Sequence, residues 1–488
     1  MDRLYDLLII GGGINGSAIA RDAAGRGLSV RLVEQNDLAS GTSSASTKLI
    51  HGGLRYLELY EFRLVHEALA ERERMLAAAP HIVWPLKFVL PHEKGLRPVW
   101  MLRLGLFLYD HLAPRKRLEG SNMVSLSDNT LGAPLRSVYR TGFTYSDCWV
   151  DDARLVVLNA LDAKESGAEI EVGAKLVSAE RNDKHWQAML ADGRRIAART
   201  MVNAAGPWVS SIMDDALHVM TRKNLRLVKG SHLVIRRLYE GEHAYILQNP
   251  DGRIVFAIPY ERDFTLIGTT DIPYHGAPGI VEIEEAETDY LLETVNHFLA
   301  RPITRAAIVW SYAGLRPLYD DGAVTASVVT RDYAFDLDAP ENSAPVLSIF
   351  GGKITTARRL AEHALNELKP FLPQQGPAWT GDARLPGGDI DFDDFLARLR
   401  LDRPFLDEAL SLRLARAYGA RVDNILGDAR SMSDLGRDLG CGLTEAEVRY
   451  LIDHEWAHTA QDILWRRSKL GLHMSQAQQQ ELRLLMGG

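Results

Sequence analysis

The sequence predicts an α/β protein in which a Rossmann-like domain is followed by a β-rich region and a helical C-terminal domain. The opening carries the first part of that expectation. An apolar run at Asp6–Ile10 meets glycines at 11, 12, 13 and 16 and then a helical pattern, the order of a strand, a tight turn and a helix. Strand-like runs at Leu225–Ile235, Ile254–Ile258 and Phe264–Thr269 supply the β-rich middle. From Phe392 to Met486 the pattern is almost wholly helical.

Taken in order, Asp6–Ile10 (DLLII) is apolar on both alternations, which suits a strand buried on both faces of a parallel sheet. Asn15–Arg26 is rich in small residues and reads as a close-packed helix, and Ser29–Val33 is a second strand ending at Glu34. Leu64–Ala79 is a helix closed by Pro80. From Pro80 to about Gly142, proline, basic and aromatic residues accumulate. Asp151–Ser166 reads as a helix, and Met201–Ala205 as a buried strand ending at Gly206. A helix spans Ala357–Leu368, and Pro370–Pro386 has the composition of a linker. Thr444 and Glu447 have capping-box spacing. Strand-like returns after residue 310 make the first domain discontinuous. The expected division is 1–79 with 143–215 and 315–369, then 80–142 with 216–314, then 387–488.

Composition narrows the function classes. The chain has 488 residues, 46% hydrophobic and 25% charged, with a net charge of −8. Such proportions exclude a disordered or collagen-like chain, and the acidic balance argues against broad nucleic-acid binding. Cys148 and Cys441 are the only cysteines, so no disulfide framework is expected and a reducing cytosol fits. The opening MDRLYDLLIIGGG lacks signal-peptide character, and no apolar run is long enough to predict a spanning helix.

Gly11, Gly13 and Gly16 form G-x-G-x-x-G at the strand–helix junction. The first permits the turn, the second lets backbone approach a pyrophosphate, and the third lets the helix pack on the sheet. The helix N-terminus then offers N–H donors and a positive dipole end. Glu34, 23 residues after Gly11, is placed to accept from ribose hydroxyls. Gly41–Leu57 adds small hydroxyl residues and glycines, including Thr42, Ser43, Ser44, Lys48, Leu49 and His51, that suit a long cofactor. VNAAGPW (with Gly206) and FGGKITTAR (with Gly351, Gly352, Lys353 and Thr355) place glycine after apolar runs in the same way. A second G-x-G-x-x-G for a nicotinamide nucleotide is missing, so one extended cofactor, FAD, is expected.

These segments, together with TSSASTKLIHGGLRYLE, YSDCWVDDARL, LVKGSH, IGTTD, GLRPL and FGGKITTARRLAEHAL, resemble the FAD-dependent, respiratory (aerobic) glycerol-3-phosphate dehydrogenase family, in family order from about Asp6 to Leu472. The resemblance implies a flavin domain of the D-amino-acid-oxidase type, non-covalent FAD, and oxidation of sn-glycerol 3-phosphate to dihydroxyacetone phosphate. It also implies electron transfer to a membrane quinone, a homodimer, and a peripheral place on the cytoplasmic side of the inner membrane. A phosphomonoester needs several cations, preferably arginine, and the resemblance gathers Arg55, Arg316 and Lys353 around it. His232 is the first candidate for proton acceptor, with His51 a competitor and Arg316 a possible assistant. Thr270 and Asp271, in IGTTD, are expected to line the pocket. A glycerol-3-phosphate oxidase using oxygen and a non-catalytic flavin-binding protein are the alternatives.

Two further segments stand out. His454–His458 (HEWAH) satisfies H-E-x-x-H, but no third ligand accompanies it and no metal is expected. Val99–Leu112 is apolar and too short to span a bilayer, and the stretch from Arg97 to Arg117 carries Arg97, Arg103, Arg115, Lys116 and Arg117, a pattern suited to an anionic lipid surface.

Overall fold

The computed structural model describes residues 3–93, 98–127, 129–249, 251–320 and 332–487. Two sheets and a helical domain meet around one central cavity. The first sheet runs in the order Ala334–Asp338, Val346–Phe350, Arg195–Asn203, Leu4–Ile10, Val30–Val33 and Glu169–Glu171, with the hairpin Leu176–Arg181/Trp186–Leu190 attached to Arg195–Asn203. Leu4–Ile10 is central and parallel to both neighbours, and Leu7, Leu8 and Ile9 are fully buried. That explains its unbroken apolar run. The helices Ile14–Gly25, Asp152–Glu165 and Ala357–Leu368 share one core through Ala20, Ala23, Ala163, Leu360 and Leu365. The alanines let the helices approach closely.

Among the described residues the second sheet has ten strands. Its main order is Ile272–Tyr274, Leu225–Arg236, Phe264–Gly268, Ile254–Tyr260, Ala244–Gln248, Val83–Pro91, Thr141–Val150 and Leu49–Ile50. Ile308–Tyr319 pairs with Leu225–Arg236, and Asn122–Ser125 with Thr141–Val150. Residues 143–150 and 315–319, assigned from sequence to the first unit, therefore pair in the second sheet. Each belongs to a strand of ten or twelve residues that is not interrupted where the sequence changes character. Leu49–Ile50 closes the far edge, so residues 42–56 bridge the two sheets.

The C-terminal helices have a core of their own around Leu414, Tyr418, Leu451, Ile463 and Leu464. The helical region expected from Phe392 is a set of short helices, among them Phe392–Asp402, Glu408–Tyr418, Glu445–Glu455 and Gln476–Leu485. Half of the expected capping box forms. Thr444 accepts from the Glu447 amide at 3.3 Å, but the Glu447 carboxylate is drawn to Arg413 (2.6 and 2.7 Å) and the Tyr418 hydroxyl (2.7 Å). A buried charge takes the stronger partner.

The proline- and glycine-rich stretch before this domain is pinned. The Gly376 amide donates to Arg26 O at 2.9 Å, and Trp379 Nε1 donates to Asp22 O at 3.2 Å. Arg21 stacks 5.1 Å over the Trp379 ring. Ion pairs then fasten the domain to the helix Asp152–Glu165 and the loops beside the first sheet: Arg154 to Glu455, Asp37 to Arg466 and Arg467 (2.5 and 2.7 Å), Asp151 to Lys469 (2.9 Å) and Glu165 to Arg421 (2.7 Å). Among the described residues, no helix is long and apolar enough to cross a membrane.

Candidate active site

A cavity of about 1540 Å³ lies between the two sheets and the C-terminal domain. Its floor is the glycine loop. Gly11 has φ +111°, and a Cβ there would come within 2.6 Å of Ala204 O. A Cβ at Gly16 would lie 1.9 Å from Gly11 O, so the helix can approach the turn only because that residue is glycine. Ser43 Oγ accepts from the Ile14 amide at 3.0 Å, and Glu34 accepts from the amides of Gly12 (2.6 Å) and Asn36 (2.9 Å). Burial raises the Glu34 carboxyl above its ordinary range, and the two amides hold against that.

The hydroxyl-rich segment forms one wall. Thr42 Oγ1 donates to Leu315 O at 2.5 Å. Lys48 Nζ donates to Ser44 O (3.0 Å) and to Asp152 (2.9 Å), tying the loop to the helix behind it. Burial pushes the Lys48 ammonium down while Asp152 pulls it back up. Leu49 enters the edge strand opposite Trp149. His51, Gly206, Gly351, Gly352, Lys353 and Thr355 also line the cavity, as do Gly11, Gly13, Glu34, Ser43 and Ser44.

Four of the expected polar residues share this cavity. Arg55, Arg316, Lys353 and Asp271 all line the cavity. Arg316 donates to Asp271 through one nitrogen and to Thr269 Oγ1 at 2.6 Å through the other. Lys353 Nζ sits 4.2 Å over the Tyr56 ring.

Three expected residues fall outside the lining: Gly16, packed behind the turn, Thr270 and His232. Thr270 is buried, donating to Glu287 at 2.7 Å and accepting from the Ser231 amide at 2.9 Å, while Thr269 faces the cavity. Adjacent residues of an extended segment point to opposite sides, and two identical residues in sequence do not say which side each takes. His232 is also buried behind the wall. Its Nε2 is 3.0 Å from Thr47 Oγ1, its ring stacks on Tyr312 at 4.7 Å, and both of those partners line the cavity. Burial, helped by the charges of Arg316 and Lys48, drives the His232 imidazole well below its ordinary pKa.

Several lining residues were not found from sequence. Tyr56 sits next to Arg55 in GGLRY, and its neighbour was the available signal. Thr47 lay in the hydroxyl-rich segment without being singled out, and Trp310 and Tyr312 carried no signal. From the C-terminal domain come Gln461, Trp465, Arg466 and Lys469. Trp465 stacks on Trp310 at 4.3 Å. HEWAH does not form a shared helical face. The helix ends at Glu455, Trp456 turns left-handed at φ +56°, and Glu455 is buried against Arg154.

The residues fit a long dinucleotide. Glycines hold the backbone open where Cβ atoms would intrude, and Asn15 Oδ1 is buried at the cavity with no hydrogen-bond partner among the described residues. Comparison with known proteins decides which dinucleotide. A family model described as FAD dependent oxidoreductase matches residues 6–397.

The chain belongs to the FAD-dependent oxidoreductase family.

A second model, the C-terminal domain of alpha-glycerophosphate oxidase, matches residues 378–485 of this flavoprotein. A glycerol-3-phosphate dehydrogenase of Pseudomonas aeruginosa is 55% identical, covering 98% of this chain and 94% of the relative. A D-erythritol 1-phosphate dehydrogenase of Brucella abortus is 50% identical, covering 97% and 95%. Among solved structures, the glycerol-3-phosphate dehydrogenase of Bacillus halodurans complexed with FAD has a TM-score of 0.76 at 27% identity, covering 99% of this chain and 94% of that one. The flavoprotein is thus a member of the glycerol-3-phosphate dehydrogenase family.

In this flavoprotein the Ile14–Gly25 helix N-terminus would hold the pyrophosphate, Glu34 a ribose, and the 42–49 segment the length of the cofactor. No cysteine lines the cavity among the described residues, and His51 is its one histidine there. Denaturing the flavoprotein should release yellow FAD into the supernatant. Colour retained by the precipitated chain would identify a covalent link.

Proposed function

We propose that the protein oxidises sn-glycerol 3-phosphate to dihydroxyacetone phosphate and passes the electrons to a membrane quinone. The observation that carries this reading is the convergence of Arg55, Arg316 and Lys353 on one cavity with the glycine cradle. A phosphomonoester dianion needs such a set, and arginine forks match its oxygens. Bound FAD supplies a hydride acceptor for the carbinol carbon. The protein must hold that carbon in place, exclude water and receive the hydroxyl proton. Of the two candidate histidines, His51 lines the cavity and takes the proton, whereas His232 fixes Thr47 and Tyr312 from behind. Arg316 steadies the developing alkoxide charge or the phosphate from its Asp271–Thr269 seat. We further place the domain divisions at the two sheets and at residue 387.

Anaerobic glycerol 3-phosphate should bleach the flavin absorbance, and free glycerol should not. Faster bleaching by erythritol 1-phosphate would move the substrate to a four-carbon polyol phosphate, the reading favoured by the 50% identical relative. Reoxidation by a quinone analogue should outpace reoxidation by oxygen; the reverse order would make the protein an oxidase.

The lipid surface is placed at the helix Val99–His111. Leu106 and Tyr109 face inward, while Trp100 (63% exposed), Leu104 (51%) and Phe107 (56%) form one outward stripe at helical spacing. Exposed apolar residues on one stripe suit the interface of a bilayer. Of the flanking cations, Arg115 pairs with Asp110 at 2.6 Å, and Arg97 lies outside the described residues. Replacing Leu104 and Phe107 with glutamate should abolish sedimentation with anionic vesicles and leave transfer to a soluble dye intact. Unchanged sedimentation would put the docking surface elsewhere.

A further inference from the structure

The inward side of the same helix reaches the cavity wall. Tyr109 is 2% exposed, and its hydroxyl accepts from the Gly52 amide at 2.8 Å. The hydroxyl donates in turn to Asp147, with both carboxylate oxygens at 2.8 Å. Asp147 is held by Arg72 at 2.6 Å, and that arginine also donates to Ser146 O at 2.9 Å. Four segments are joined by this chain: the helix Val99–His111, the helix Phe62–Ala78, the strand Thr141–Val150 and the loop after Leu49–Ile50.

Gly52 is the point of attachment. The edge strand has ended at Ile50, and Gly53 follows in a left-handed conformation at φ +75°, so the Gly52 amide is outside the strand ladder. A buried N–H in that position needs another acceptor, and the phenol supplies it. A Cβ on Gly52 would lie 2.8 Å from the Tyr109 hydroxyl and 2.4 Å from Leu69, so the close approach requires glycine. Gly52 follows His51 directly and precedes Arg55 by three residues. Nothing else in the described hydrogen bonding anchors the amide as closely; Asp147 Oδ1 is 3.4 Å away.

We infer that Tyr109, set by Asp147 and Arg72, is a positioning residue that holds the loop presenting His51 and Arg55 to the substrate. The inference rests on the reading of that loop as part of the glycerol 3-phosphate site. The hydroxyl does not touch the reacting atoms; it restricts where the two side chains begin. Without it the loop spends part of its time displaced, and substrate binding weakens before the flavin is affected.

The test is Tyr109→Phe in the FAD-loaded enzyme, which keeps the ring and removes the hydroxyl. KM for glycerol 3-phosphate should rise about three- to tenfold, the effect of one hydrogen bond to backbone, with kcat within about twofold and FAD content unchanged. Amide exchange in the peptide spanning 49–56 should speed up, while that of 62–78 stays as it was. In an Arg55→Ala background the same substitution should add less than about twofold, because coupled residues do not act additively. An unchanged KM, or loss of FAD and a general fall in stability in its place, would overturn the inference. So would a second full rise in KM on top of a raised KM in Arg55→Ala. Should Arg55→Ala leave KM unchanged while Tyr109→Phe raises it, the phosphate role of Arg55 fails and Tyr109 remains the residue that places His51.

Discussion

Replacing Arg316 with alanine should lower kcat/KM for glycerol 3-phosphate by more than tenfold and leave the FAD content intact. Arg316 lines the cavity on the second sheet, on the strand Ile308–Tyr319, whereas the glycine loop that would hold the cofactor belongs to the first. Its two nitrogens are oriented by Asp271 and Thr269, so the fork is preorganised. A hydrogen bond to a charged group contributes about 1.5–3 kcal/mol, which is the source of the expected factor. Arg316→Lys should fall between, since lysine keeps the charge and loses the bidentate geometry. Glycerol, without the dianion, should be a poor substrate for the unaltered enzyme and should distinguish little between it and the variant. Equal efficiency with glycerol 3-phosphate in both would place the anion site elsewhere.

Replacing Glu455 with alanine should destabilise the protein by about 3–5 kcal/mol, the range for breaking one side of a buried ion pair. The Arg154 and Glu455 side chains are 1% and 0% exposed, and the pair is reinforced by a second contact at 3.0 Å. Arg154 would keep Ala417 O, at 2.8 and 3.1 Å, and lose its neutralising charge. Denaturant midpoints should show the loss. A compensating change of Arg154 to methionine should recover much of it, because removing both charges removes the burial penalty as well. A zinc chelator should have no effect on stability or turnover. A stability unchanged by Glu455→Ala would mean that the domain junction rests on its other contacts.

The features legible in the sequence were those whose chemistry is local. Gly11 and Gly16 are forced by contacts with Ala204 and with the turn itself, Gly13 leaves room beside Ser43, and their spacing survives in any fold that uses them. Glu34 ends the neighbouring strand and could be placed by counting. The cavity's opposite wall was legible only as far as family motifs reached, through Arg55, Arg316, Lys353 and Asp271. Side-chain direction was not. His232 lies in a matching motif, yet its ring turns behind Thr47 and Tyr312, into space left by Gly268. Thr269 and Thr270 show the same limit at one residue's resolution. Glu447 looked like a local cap because sequence spacing does not reveal Arg413, 34 residues away. Trp465, Arg466 and Lys469 lie in a stretch that resembles the family's C-terminal segment, but their place on the cavity wall was not legible, being fixed by packing between domains.

That last wall has a consequence for the order in which the protein is made. The glycine loop leaves the ribosome early, with the strand and helix that shape it. The partners that finish the cavity come far later; Asp37 waits for an arginine 430 residues downstream. Domains emerging from synthesis fold from the N-terminal side first. A nascent chain therefore displays a dinucleotide loop long before it owns a closed chamber. Until Trp465 and Lys469 arrive, that wall of the cavity is missing. The cavity is thus completed last, on the schedule of the helical domain.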